Sequence, residues 1–96
     1  MKSYVYRITY PNGKIYIGQD RKELFTTYFG SGIEEYINKD FSEKELYRFN
    51  ILKEILWASD TATKDEIDQK ETEMILKYES NNLEKGYNQR LPIMPK

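Results

Sequence analysis

The chain has 96 residues and a net charge of −1 at neutral pH, with 39% apolar and 32% charged residues and neither cysteine nor histidine. Its length suits one domain with one core (residues 1–96), and no apolar run approaches the roughly 18 residues that a membrane span needs. The missing thiol and imidazole exclude thiolate nucleophiles, histidine bases and Cys/His metal centres, so any metal must be held by oxygen, which favours magnesium or manganese. With no secretory pattern at the start of the chain, the expected setting is the cytoplasm.

The near-neutral charge hides an asymmetry. Residues 1–22 carry Lys2, Arg7, Lys14, Arg21 and Lys22 against Asp20 alone, whereas residues 23–96 hold ten basic and fifteen acidic groups. The N-terminal end can therefore attract a phosphate backbone, while the acidic remainder argues against strong independent DNA affinity.

Ser3–Tyr10 alternates Tyr4, Tyr6, Ile8 and Tyr10 with Val5, Arg7 and Thr9, the pattern of a strand, and Lys14–Gly18 is its hairpin partner. Two registers compete. A two-residue turn at Asn12-Gly13 would set Tyr16 beside Thr9 and turn Tyr6 to the opposite face. A three-residue loop, with Pro11-Asn12 at the centre of a type I turn and Gly13 left-handed, pairs Ile8 with Tyr16 and Tyr6 with Gly18. Proline's preference for the first central position favours the second, which places Tyr6, Ile8, Lys14 and Tyr16 on one face.

Gln19–Phe29 is polar and reads as a short helix or turn, closed by Gly30-Ser31-Gly32. A brief helix is expected over Ile33–Lys39, and Leu46–Leu56, rich in aromatic and branched residues, reads as a third strand. Thr63 with Glu66 is a capping-box pattern that opens the clearest helix, whose apolar stripe of Ile67, Met74, Ile75 and Tyr78 runs to the Ser80-Asn81-Asn82 stop. After Gly86, two prolines preclude another helix. The order β-β-α-α-β-α implies an α+β domain with one small three-stranded antiparallel sheet flanked by helices.

At about 100° per residue, Glu71 falls in the middle of the apolar stripe of the last helix, while Glu73 faces solvent. A carboxylate there must be paired, protonated or bound to a cation, unless the helix rotates to release it. Nine tyrosines in the chain are most simply half-buried strand residues, yet two phenols on one face near a basic edge can hydrogen-bond a phosphate and a water. Gly30-Ser31-Gly32 lacks the lysine of a phosphate loop, and no zinc, dinucleotide or serine-nucleophile motif occurs.

Taken in order, Tyr4-Val5-Tyr6, Tyr16-Ile17-Gly18, the late-helix Glu71 and the terminal Gly86-Tyr87-Asn88 resemble the motifs of the GIY-YIG endonuclease family. The stretch YFGSG, Tyr28–Gly32, resembles its phage and bacterial branch related to homing endonucleases. The resemblance spans nearly the whole chain and implies a DNA phosphodiesterase using one Mg2+ or Mn2+. It assigns water activation to Tyr6, water or phosphate positioning to Tyr16, the metal to Glu71 and a supporting role to Asn88. The family's helix arginine falls near Thr26, so Arg21 or Lys22, with Lys14 nearby, would supply the phosphate-binding cation, and Tyr28 would take the position one turn on. With no room for a separate recognition domain, specificity would need a homodimer or a DNA-targeting partner chain, or be low. The alternative is a non-catalytic nucleic-acid or protein interaction module that retains the fold.

Overall fold

Pro11-Asn12-Gly13 closes the first hairpin through the three-residue loop. The Gly13 amide donates to the Tyr10 carbonyl at 2.9 Å, Tyr10 N donates to the Lys14 carbonyl at 2.9 Å, and Gly13 has φ 86°, a conformation that glycine adopts without the Cβ penalty. Asn12 Oδ1 accepts from Lys14 N at 3.0 Å and stiffens the turn. The flanking strands β1 (Ser3–Thr9) and β2 (Ile15–Asp20) pair antiparallel, with Ile8 opposite Tyr16 and Tyr6 opposite Gly18.

The computed structural model describes residues 3–20, 34–89 and 91. Within these, β2 runs two residues further than expected. Gln19 and Asp20, assigned from their polarity to a helix or turn, pair with Val5 and Tyr4. Polarity reports solvent contact, and here the ladder offered by β1 decides the backbone. The rest of the expected 19–29 element and Gly30-Ser31-Gly32 lie outside the described residues.

α1 (Glu34–Asp40) falls within a residue of the expected helix. The next element is a correction. Leu46 and Tyr47 belong to a short helix, α2 (Glu43–Tyr47), and the third strand, β3, begins only at Leu52 and ends at Ser59. Ser42 and Glu45 form a capping box, in which the Ser42 hydroxyl accepts from Glu45 N at 3.2 Å and Glu45 Oε1 from Ser42 N at 2.8 Å. The aromatic content that suggested a strand serves packing instead. Phe49 meets Phe41 edge-on at 4.9 Å and Tyr10 at 5.8 Å.

β3 pairs antiparallel with the other side of β1, giving the sheet order β2-β1-β3, with a bulge where the partners of Val5 and Tyr6 jump from Trp57 to Ile55. α3 (Lys64–Tyr78) starts at the expected Thr63–Glu66 capping box and ends at Glu79, whose φ is 55°. The fold is therefore α+β, a three-stranded antiparallel sheet with three helices among the described residues. None of these helices is long and apolar enough to cross a membrane.

Alternation along β1 feeds two cores. Tyr6, Ile8 and Tyr10 pack with Phe41 and Tyr87, and with the half-buried Tyr16, Tyr36 and Leu46, on one face. Val5 and Ile17 pack with Ile67 and Ile75 of α3 on the other.

The C-terminal segment then covers the outer edge of β2. Ile15 N donates to the Lys85 carbonyl at 3.0 Å and Tyr87 N to the Ile15 carbonyl at 2.9 Å. Asn88 extends this as a side-chain clamp, its Oδ1 accepting from Ile17 N and its Nδ2 donating to the Ile17 carbonyl, both at 2.8 Å and buried. Gly86 is required at the crossing, because a Cβ there would collide with the Ser80 carbonyl and lie 2.6 Å from that of Ile15. An exposed edge strand invites pairing with other chains, and this segment removes part of that edge.

A polar knot fastens the hairpin tip to α1. Asp40 Oδ2 accepts from Lys14 Nζ and from the Tyr87 hydroxyl, both at 2.8 Å, and Asn12 Nδ2 donates to the Tyr87 oxygen at 3.0 Å. Hydrogen bonds from Lys14 and Tyr87 hold the Asp40 carboxyl below its usual range. Burial, opposed by the Asn12 bond and reinforced by the bond to Asp40, pushes the Tyr87 phenol up to about 12.

Two measurements check this account. Asn88→Leu strands the Ile17 amide and carbonyl, and is expected to cost about 2–4 kcal/mol in urea unfolding. For Asp40 the lowered folded pKa means that its stabilisation is present above the unfolded value and is lost as pH falls through the folded one. For Tyr87 the raised pKa means that stabilisation is full below the unfolded value and lost as pH rises through about 12. Asp40→Asn should therefore melt below wild type near neutral pH, with the gap closing in acid; a pH-independent gap would show that the ion pair is not its source.

Candidate active site

Tyr6 and Tyr16 reach the same face from adjacent strands, and Gly18 makes room for them. A Cβ at position 18 would collide with the Tyr6 hydroxyl and lie 2.5 Å from its Cζ and 3.1 Å from Tyr16 Cε2. The Tyr6 phenol thus lies across the backbone of β2 beside the Tyr16 ring. Tyr6 is fully buried, at 0% exposure, and Tyr16 is half-buried.

Two further side chains belong to this face that the sequence reading did not single out. Lys53 of β3 is paired with Ile8 and sets its ammonium 4.2 Å from the centroid of the Tyr6 ring, within cation–π range. Burial lowers the Lys53 pKa, opposed by the charge of Asp20. Asp20 is itself buried and lies two residues beyond Gly18, on the same side of β2 by alternation. The pairing of β3 with β1 is what brings Lys53 here, and no local pattern encodes that pairing.

Glu71 is where its spacing predicted, between Ile67 and Ile75 on the buried face of α3, at 8% exposure. Among the described residues, an amide meets it. Gln19 Nε2 donates to Glu71 Oε2 at 2.9 Å and to Asp68 Oδ1 at 2.8 Å. The second oxygen of Asp68 accepts from Lys64 Nζ at 2.8 Å. Burial pushes the Glu71 carboxyl up; the Gln19 bond opposes this, the charge of Asp68 adds to it, and Lys64 opposes it again.

Two carboxylate oxygens therefore converge on one positively polarised point. Oxygen donors of this kind suit a hard divalent cation, so Asp68 and Glu71 are the residues that could hold one, with Gln19 beside them. Asp68 was missed in the sequence, although its place one turn before Glu71 was the available signal. Among the described residues no group of three or more His, Cys, Asp or Glu side chains forms a metal cluster.

The phenols and the carboxylates do not share one face. α3 packs on the side of Val5 and Ile17, and Gln19 leaves β2 on that side, opposite Gly18 and Tyr16. The two groups flank the C-terminal half of β2, anchored on the successive residues Gly18, Gln19 and Asp20.

The remaining expected residues divide. Asn88 lies at the strand edge, where its side chain holds the Ile17 backbone. Lys14 is at the hairpin tip, paired with Asp40 and 5.3 Å from the Tyr87 ring centroid. Arg21, Lys22 and Tyr28, with Thr26, lie outside the described residues. An open cleft of about 590 Å³ is bounded by Pro11, Phe41, Lys44, Glu45, Tyr47 and Arg48. It lies by α2, and none of the expected site residues that are described lines it.

No family model matches the chain, and no match was found among curated proteins or solved structures.

Glu71 leaves a testable mark on stability. Its raised folded pKa means that the neutral form is favoured in the fold, so its contribution falls as pH rises from the unfolded value through the raised one. Glu71→Gln keeps the shape and an acceptor for Gln19. In the presence of a chelator it should melt above wild type at neutral pH, with the difference vanishing in acid; a variant that melts lower at neutral pH would show the carboxylate to be stabilising.

Proposed function

We propose that the chain is a metal-dependent DNA endonuclease or nicking domain of the GIY-YIG type, hydrolysing phosphodiester bonds in the cytoplasm of a bacterial host or as a phage product. The observation that carries this reading is the meeting of Tyr6 and Tyr16 over Gly18. Two phenols from successive strands, opposed across a residue without a side chain, can hydrogen-bond a water and a phosphate oxygen at once. The pair of the buried Glu71 and the half-buried Asp68 adds a second supporting feature.

In this reading the Tyr6 oxygen takes the proton of the attacking water as its own hydroxyl proton passes to solvent, while Tyr16 orients that water or the phosphate. Asp68 and Glu71 would hold a magnesium or manganese ion, which when bound neutralises charge on the phosphate and the leaving oxygen. Asn88 keeps β2 in place through Ile17. Arg21 and Lys22, following the end of β2, and Tyr28 and Lys14 are assigned to the DNA backbone. DNA is the expected partner, engaged by a homodimer or with a separate DNA-targeting chain.

The complete burial of Tyr6 favours a second reading, a nucleic-acid or protein interaction module that keeps the fold with Tyr6 as core.

Incubation with supercoiled plasmid and magnesium or manganese separates the two. The nuclease reading expects nicked or linear product, with Glu71→Ala and Tyr6→Phe each lowering the rate by about 100-fold or more. Undiminished cleavage by both variants would remove the site assignment, and DNA binding without cleavage by the wild type would favour the module.

A further inference from the structure

Any protein that cleaves a phosphodiester must offset the anionic phosphate where attack occurs. Three described cations, Arg7, Lys14 and Lys53, lie on the sheet or at its hairpin tip. Lys14 is committed to Asp40 at the hairpin tip. Arg7 points to the other face, where it pairs with Glu54 at 2.7 Å and stacks 5.0 Å from the Tyr78 ring centroid. Lys53 instead rises from β3 onto the ring of Tyr6 itself, on the side where Asp20 also lies.

We propose that Lys53 is a phosphate-binding residue of this site, its ammonium held over the Tyr6 ring so that it meets a phosphate oxygen beside the two phenols. The ring steers the charge, because a phenol face attracts a cation. Burial disfavours the charged lysine while Asp20 supports it. With the Tyr6 ring beneath it, the ammonium is aimed before a substrate arrives, which reduces the ordering cost of binding. The inference rests on the nuclease reading for its catalytic consequence, and its binding consequence can be measured separately.

The test uses the full chain with Lys53→Met, which removes the charge, Lys53→Gln as a second neutral variant, and Lys53→Arg, which keeps the charge. Circular dichroism and melting establish which of them fold. A fluorescent DNA duplex is titrated in EDTA over a range of salt, and plasmid cleavage is followed with magnesium or manganese. The slope of log K against log salt should shrink by about 0.9 in the neutral variants and return with arginine. Cleavage should fall roughly 10- to 100-fold in the neutral variants and recover with arginine.

A slope and a rate equal to wild type in the folded neutral variants would overturn the proposal while leaving the nuclease reading standing. A reduced slope in a protein whose wild type does not cleave would sustain the phosphate contact and remove the nuclease reading. A wild type that neither binds nor cleaves DNA would overturn both.

Discussion

One backbone dihedral, the φ of 86° at Gly13, decides which side chains of the first two strands meet. Side chains alternate along a strand with a period of two, so a slip of one residue would carry Tyr16 to the face of Ile17 and bring Gly18 out from under the Tyr6 ring. The proline before it narrows the turn to the form that demands a left-handed third residue. Nothing else in the hairpin is as discriminating, since both faces of β1 are apolar and either register would bury something. From this register follow the contact of Tyr6 with Gly18, the pairing of Val5 with Gln19 and hence the reach of Gln19 to Glu71.

β1 then acts as a partition. With Val5, Tyr6 and Ile8 all fully buried, the strand is enclosed on both sides, one core formed with α3 and the other with the segment that carries Phe41 and Phe49. A 96-residue chain gains by filling both faces of a three-stranded sheet, because small domains bury a low fraction of their surface. The consequence for chemistry is that polar groups are pushed to the ends and edges of the sheet. Asp40, Lys14 and Tyr87 gather at the hairpin tip, and Gln19, Glu71 and Asp68 at the far end of β2. Their energetic characters differ. Asp40 is favoured ionised by its partners, whereas burial disfavours the ionised form of Glu71 despite the Gln19 amide and the charge of Lys64. A group kept ionised by strong partners is a fastener, and a carboxylate kept at a cost is a place to look for a ligand.

How much could be read from the sequence follows from how local each cause is. The hairpin register, the capping box at Thr63 and the burial of Glu71 depend on residues within a turn or two of one another, and all were legible. The placement of β3 was not. Leu46, Tyr47 and Phe49 carry strand-like propensities, but the Ser42–Glu45 box nucleates a helix first and the aromatics close onto Phe41 and Tyr10. Within the site, Lys53 and Asp20 were invisible because their neighbourhood is made by strand pairing. Asn88 was legible as a motif position but not as a clamp, because its partners lie 71 residues away. The glycine at 86 reads locally as a chain breaker, whereas its reason is the close approach of the Ser80 and Ile15 carbonyls.

The two-sided arrangement also limits where a substrate could sit. β2 is an edge strand, and its outward backbone groups are covered by the C-terminal segment at Ile15 and Ile17. Gln19 is the next outward-facing position. The phenols reach this end of the strand from one face and the carboxylates from the other, separated by the thickness of one backbone. A phosphodiester touching both groups would therefore have to lie across the strand end at Gly18-Gln19-Asp20, not in a pocket on either face. The bare backbone of Gly18 lets the Tyr6 phenol approach that crossing, and Gln19 is the residue such a ligand would displace or engage.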